Sequence, residues 1–207
     1  MEVIRWGILG LGNIAHKFAS DLLKVSGCIL YGVASSREHV AEKFSEKFNV
    51  KKFYDNYHKL ISDKEIDIIY IASLNQDHYK YSIQALSNKK AVLCEKPLAI
   101  NQNQVQNLIK CSKENKSFLM EALWTRFNPT FEQLLDWLKN DMIGPINYIN
   151  ASFSFNGLSS SIDSRLFDPS KAGGSLLDIG IYPLFLAYLI LGRPKDIKSN
   201  AIKTTRG

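Results

Sequence analysis

A short apolar run, Val3–Leu9, passes directly into Gly10-Leu11-Gly12-Asn13-Ile14-Ala15 and then into a segment with helical spacing through Ile14, Phe18, Leu22 and Leu23. A strand, a glycine turn and a helix in immediate succession leave few architectures open. In such a turn Gly10 permits the sharp reversal, Gly12 lets the backbone come close to a pyrophosphate, and Ala15 lets the helix pack tightly on the strand. The helix start offers unpaired N–H groups and a partial positive charge to an anion. Gly10, Gly12, Asn13, Ile14 and Ala15 are therefore candidate cofactor-binding residues. The plainer alternative is a glycine-rich turn with no ligand.

The next hundred residues repeat this alternation. Cys28–Ala34, Asp67–Ala72, Ala91–Cys94 and Phe118–Met120 are short apolar runs. Between them Arg37–Phe48, His78–Leu86 and Val105–Ile109 carry apolar residues at helical spacing. Continuous apolar strands separated by amphipathic helices predict a parallel sheet covered on both faces, an α/β doubly wound fold. The character changes near residue 122. Thr130–Leu138 predicts a helix, Gly144-Pro145 a break, and Ile146–Phe155 a strand exposed on one face. A polar loop, Ser159–Ala172, precedes an apolar helical stretch, Gly174–Leu191, ended by Gly192 and Pro194, and the tail Ile197–Thr204 is a further candidate strand. This predicts a Rossmann domain over 1–121 and a partial α/β domain over 122–207. One strand, or two, is too few for a self-sufficient sheet, so the second domain reads as incomplete.

The 207 residues carry 26 Lys+Arg against 20 Asp+Glu, a formal net charge of +6. The basic residues are dispersed with no run of five, which argues against a nucleic-acid partner and for a solvated surface that also suits an anionic cofactor. With 45% hydrophobic residues, 11 Phe and 9 Tyr, the chain is not a disordered one. Cys28, Cys94 and Cys111 are odd in number and lack C-x-x-C spacing, which predicts neither a disulfide framework nor a metal site. The N-terminus lacks the layout of a signal peptide, and Ile179–Leu191, interrupted by Pro183, is too short to span a bilayer. The expected setting is cytoplasmic, with no membrane partner.

Three further segments carry chemistry. The second strand ends Gly32-Val33-Ala34-Ser35-Ser36-Arg37, without the acid that usually grips a ribose 2′-hydroxyl. Hydroxyls of Ser35 and Ser36 and the Arg37 guanidinium suit a 2′-phosphate instead, so NADP(H) is preferred and NAD(H) remains possible, with Glu38 one step further on. Ser36 also fits a cap on a helix starting at Arg37. The fourth strand ends Cys94-Glu95-Lys96-Pro97, where a lysine at a strand C-terminus would face the ligand crevice and a cis peptide before Pro97 is open. In Gly173–Pro183, Asp178 and Tyr182 are four apart and share a helix face. Each has an ordinary alternative as well: a turn lysine, a helix-start aspartate, a core tyrosine.

Together GILGLGNIA, LCEKPLAI and GGSLLDIGIYP resemble the glucose–fructose oxidoreductase/inositol dehydrogenase (Gfo/Idh/MocA) family over essentially the whole chain, and MEALWTRFNP (Met120–Pro129) with Tyr182 looks most like its dihydrodiol dehydrogenase-like branch. The resemblance implies a Rossmann domain followed by an α/β domain with an open, mostly antiparallel sheet that serves homo-oligomer formation. It implies Lys96, Asp178 and Tyr182 around substrate and nicotinamide, and cofactor contacts from Ser73, Leu74, Asn75, His78, Glu95, Trp124 and Arg126; for His78 a hydrogen-bonded structural role is equally open. Trp124 and Phe153 would line the substrate side. The implied reaction is hydride transfer between nicotinamide and an alcohol or carbonyl carbon of a small polyol, sugar derivative or cyclic trans-diol, with Tyr182 as acid/base. Family members continue through more strands, so a non-catalytic NADP-binding sensor, or an inactive truncated remnant, is the alternative.

Overall fold

A computed structural model describes residues 3–157 and 165–202; within the predicted loop and tail, 159–164 and 203–204 lie outside it. The chain divides into two compact units, the first ending at Ala122 and the second beginning at Leu123.

The first unit is built on six parallel strands: β1 (Ile4–Leu9), β2 (Cys28–Ala34), β3 (Lys52–Tyr54), β4 (Ile68–Ile71), β5 (Ala91–Glu95) and β6 (Leu119–Ala122), in the spatial order β3-β2-β1-β4-β5-β6. Side chains alternate between the two faces of each strand. Leu9, Ile69, Ile71, Val92 and Cys94 enter one core, completed by Leu60 and Ile61 of α3 (Tyr57–Ser62), Ala85 and Leu86 of α4 (His78–Ser87) and Leu108 of α5 (Gln102–Asn115). Ile8, Leu30, Val33 and Tyr70 enter the other, closed by Ala15, Ala19 and Leu22 of α1 (Asn13–Leu22) and by Ala41 and Phe44 of α2 (Val40–Phe48). Each fully buried Val, Leu or Ile side chain stabilises the unit by about 1.5–3 kcal/mol. Strand order reverses direction between β1 and β4, which opens the crevice beyond their C-terminal ends.

Two details depart from the sequence expectation. The segment 49–66 holds β3 and α3, which the apolar pattern does not reveal. Lys52 Nζ and the Tyr54 hydroxyl of this edge strand both donate to Asp63, just past α3, the lysine at 2.9 Å. Ser36 does not cap α2: the helix starts at Val40 after His39, which is left-handed with φ 55°. The turn is closed instead by Ser35, whose buried Oγ accepts the Arg37 N–H at 3.1 Å.

The second unit contains α6 (Pro129–Lys139), opened by Asn128 Oδ1 accepting the Thr130 N–H at 2.9 Å. It ends in a π-helical turn, Leu176–Gly180, continuous with α7 (Ile181–Leu191) and stopped by Gly192 at φ 74°. Ile146–Phe155, expected as a strand, has no strand pairing. A strand exists through its ladder hydrogen bonds, and no described residue of this unit offers it a partner; all the described strands belong to the parallel sheet. The expected antiparallel sheet is therefore not seen among the described residues. Pro169–Leu191 is, by length and composition, apolar and long enough to cross a membrane, longer than the Ile179–Leu191 run picked out in the sequence. It is broken by a turn at 172–174.

Candidate functional site

In the first unit the candidates gather on loops at the C-terminal edge of the sheet. Gly10 has φ 89°, and a Cβ there would lie 2.6 Å from the Ala72 carbonyl oxygen, so only glycine lets the loop after β1 lie against the end of β4. Gly12 is the opposite case. Its backbone is extended, and nothing lies within 4 Å of the Cβ position. No side chain caps α1, which leaves the N–H groups of its first turn open to an anion. Asn13 and Ile14 are exposed, and Ala15 is fully buried under the helix. The open space at Gly12 and the uncapped helix start fit a bound pyrophosphate.

At the end of β2 the Arg37 side chain folds back across this loop, with Nη2 donating to the Leu11 carbonyl at 3.4 Å. A cavity of about 370 Å³ lies beside it, lined by Ser36, Arg37, His39 and Phe53, but also by the carboxylates of Glu38, Glu42 and Asp55. His39 sits 3.2 Å from Glu38 and 3.3 Å from Glu42.

Beyond β4, Ser73 Oγ is buried with no hydrogen-bond partner among the described residues, Leu74 is exposed, and Asn75 opens a 3-10 turn leading into α4. His78 is buried to 1% exposure. Its Nδ1 is 2.7 Å from the Pro97 carbonyl and its Nε2 3.1 Å from that of Ser73. Burial holds its pKa below the ordinary histidine value. We assign the single N–H of the neutral ring to the shorter contact, so His78 ties the start of α4 to the loop after β5.

The latter loop carries Lys96, half-buried, with a cis peptide to Pro97. Glu95 is half-buried. Its carboxylate accepts from the Tyr70 hydroxyl and, at 3.2 Å, from the Lys96 N–H. Burial raises the Glu95 pKa, and these two donors oppose that rise. Tyr70 is driven further up, first by burial and then by the adjacent Glu95 charge, so it stays a protonated donor. Next door on β6, Glu121 accepts the Leu98 N–H at 2.7 Å; its pKa is also raised by burial.

In the second unit three predicted aromatic residues meet. Trp124, on a 3-10 turn spanning Trp124–Phe127, donates Nε1–H to the Tyr182 hydroxyl oxygen at 3.4 Å. Phe153 stands edge-on to the Tyr182 ring with centroids 5.2 Å apart. Arg126 on the same turn is exposed. Asp178, in the π-turn, is 9% exposed and ion-paired with Arg165 Nη1 at 3.3 Å. The π-turn interrupts the regular α-helical spacing assumed for Asp178 and Tyr182. Tyr70, Glu121 and Arg165 escape sequence reasoning because each acts through a partner 13 to 25 positions away. Among the described residues no group of three His, Cys, Asp or Glu side chains is placed to hold a metal ion.

Comparison with known proteins matches residues 4–123 to an oxidoreductase family with an NAD-binding Rossmann fold, and residues 131–207 to the GFO/IDH/MocA C-terminal domain. The chain is 36% identical over 201 residues to trans-1,2-dihydrobenzene-1,2-diol dehydrogenase of Mus musculus, covering 96% of this chain and 60% of that protein. Its identity to the protein of the same name from Danio rerio is 32%, with the same coverage. Among solved structures it superposes on KijD10, a 3-ketoreductase from Actinomadura kijaniata in complex with NADP and TDP-benzene, with a TM-score of 0.83 and 30% identity over 92% of this chain and 58% of that one. The chain thus spans about 60% of the length of the curated relatives it matches.

Proposed function

The chain belongs to the Gfo/Idh/MocA oxidoreductase family, and from this we propose that it is an NADP(H)-preferring oxidoreductase acting on an alcohol or carbonyl carbon of a cyclic diol, polyol or sugar-like compound. The carrying observation is the Arg37 guanidinium folded over the Gly10–Gly12 turn beside an open Gly12 cradle. A cation there with several N–H donors suits a 2′-phosphate on the same nucleotide whose pyrophosphate rests at the start of α1. Ser35, Ser36, Ser73, Leu74, Asn75, His78 and Glu95 shape or line this binding edge; Trp124 and Arg126 are assigned to it by family resemblance.

A bound nicotinamide supplies the site that gives or takes hydride. The remaining chemistry belongs to the chain. Lys96 supplies an ammonium that stabilises negative charge developing on the reacting oxygen. Tyr182 handles the proton. Because an indole N–H only donates, its contact makes the Tyr182 oxygen the acceptor and leaves the hydroxyl proton directed elsewhere. Asp178, held by Arg165, orients a substrate hydroxyl. Trp124 and Phe153 give an apolar wall that suits a ring.

A second cofactor reading has its own observation. Glu38, Glu42 and Asp55 line the cavity at Arg37, and carboxylates accept ribose hydroxyls, as an NAD(H) site requires. Fluorescence titration with NADPH and NADH decides between them. We expect tighter NADPH binding, and Arg37→Ala to weaken NADPH at least about tenfold more than NADH, since a bidentate charged contact contributes on the order of 1.5–3 kcal/mol. Equal losses for both cofactors would remove the 2′-phosphate argument. Cofactor binding without turnover on a carbonyl and diol panel would identify the sensor alternative. The same proposal assigns Ile146–Phe155 to an antiparallel sheet completed by further strands and used for self-association. It also places the protein in a reducing cytoplasm, in keeping with Cys28, Cys94 and Cys111 as free thiols.

A further inference from the structure

β5 and β6 run parallel, with Cys94 opposite Glu121 and Glu95 opposite Ala122. Beyond Glu95 the chain leaves the sheet and turns through Lys96, Pro97 and Leu98. Such a loop has no ladder hydrogen bonds to fix it, so its backbone groups need other partners. Three consecutive residues find side chains. The Lys96 N–H is held by Glu95 at 3.2 Å, the Pro97 carbonyl by His78 at 2.7 Å, and the Leu98 N–H by Glu121 at 2.7 Å. Glu95, the last residue of β5, holds only the amide next to it, and His78 reaches in from α4. Glu121 is the one anchor from the neighbouring strand, and its hydrogen bond is short and charge-assisted.

A half-buried carboxylate is a costly device for holding one amide, because desolvation disfavours its charged form. Its strand position explains its use. The Glu121 backbone is locked in the β5–β6 ladder, so its side chain sets Leu98 relative to the sheet and not merely relative to the loop. Lys96 lies two residues from that fixed point. We infer that Glu121 is a positioning residue for Lys96: its carboxylate pins the Leu98 N–H and thereby sets where the loop presents the ammonium.

This rests on the proposed role of Lys96, so the test separates the two. The full chain is compared with Glu121→Gln, which keeps an acceptor oxygen, and Glu121→Met, which keeps the length without a comparable one. Four quantities are read: NADPH affinity, kcat and KM on the carbonyl and diol panel, Leu98 amide exchange by NMR, and the rate of Lys96 acetylation by acetic anhydride followed by mass spectrometry. For Glu121→Met we expect NADPH affinity within about threefold of wild type, kcat lower by about 10–100-fold, faster Leu98 exchange and a changed Lys96 acetylation rate, with Glu121→Gln restoring most of each. Unchanged exchange and acetylation in Glu121→Met would overturn the inference. So would equal damage in both variants with cofactor binding lost, or a Leu98 amide unprotected in the wild type, a result that needs no variant to fold. If the wild type shows no turnover, the role of Lys96 in hydride chemistry falls, while exchange and acetylation still decide whether Glu121 positions it.

Discussion

Gly10 and Gly12 lie two residues apart in one turn, yet the structure assigns them different jobs, and alanine at each position separates these. At Gly10 the added methyl meets two penalties. The φ of 89° costs an L-residue about 1–2 kcal/mol. The Cβ would also fall 2.6 Å from the Ala72 oxygen and 2.8 Å from the Ser73 nitrogen. Both are backbone atoms at the end of a buried strand, so relief requires β1 and β4 to part, at an overpacking cost of about 1–3 kcal/mol. Gly10→Ala should therefore lose about 2–5 kcal/mol of stability. At Gly12 the backbone is allowed for any residue and the Cβ position is open. The folding cost is limited to a poorer N-cap, about 0.5–1 kcal/mol. The methyl instead fills space reserved for the pyrophosphate and should weaken NADPH by about 10–100-fold. Urea denaturation and fluorescence titration of both variants give the comparison. A Gly12→Ala protein that binds NADPH like wild type, or a Gly10→Ala protein of unchanged stability, would refute the reasoning.

Tyr182→Phe removes the hydroxyl that accepts from Trp124 while leaving the ring against Phe153; turnover should fall by about 10²–10⁴-fold with NADPH affinity unchanged, measured by steady-state kinetics and titration. Asp63 provides a pH test: burial raises its pKa, but hydrogen bonds from Lys52 and Tyr54 outweigh this and hold it at about 2. A carboxyl whose pKa is lowered on folding stabilises above its unfolded value and loses that contribution as pH falls from about 4 to 2. Denaturation across that window should show about 1–2 kcal/mol lost, after allowance for solvent screening at the exposed Lys52, and Asp63→Asn should flatten the response.

The parallel sheet is legible in the sequence because its central strands are buried on both faces and so appear as unbroken apolar runs. β3 is not, since Lys52–Tyr54 is a three-residue edge strand whose order depends on β2 and Asp63. The glycine turn is legible for a related reason: its constraints are local to the backbone. Glu121 and Arg165 work through distant partners, and no periodicity marks a carboxylate destined for an amide 23 positions away. Ile146–Phe155 shows the opposite error. Alternation records which side chains favour a sheet face, but it cannot supply the neighbouring strand.

Burial is distributed very unevenly along the chain. Beyond Ala122, Leu123 is the only buried apolar residue among those described, whereas the first unit holds two well-filled cores. Resistance to opening scales with such filling. The amides of α6 and α7 should therefore exchange with deuterium long before those of β1 and β4, and a protease of broad specificity should trim the chain back toward the Rossmann unit before cutting within it. Melting should accordingly proceed in two stages, a shallow early loss from the C-terminal part followed by one sharp cooperative transition.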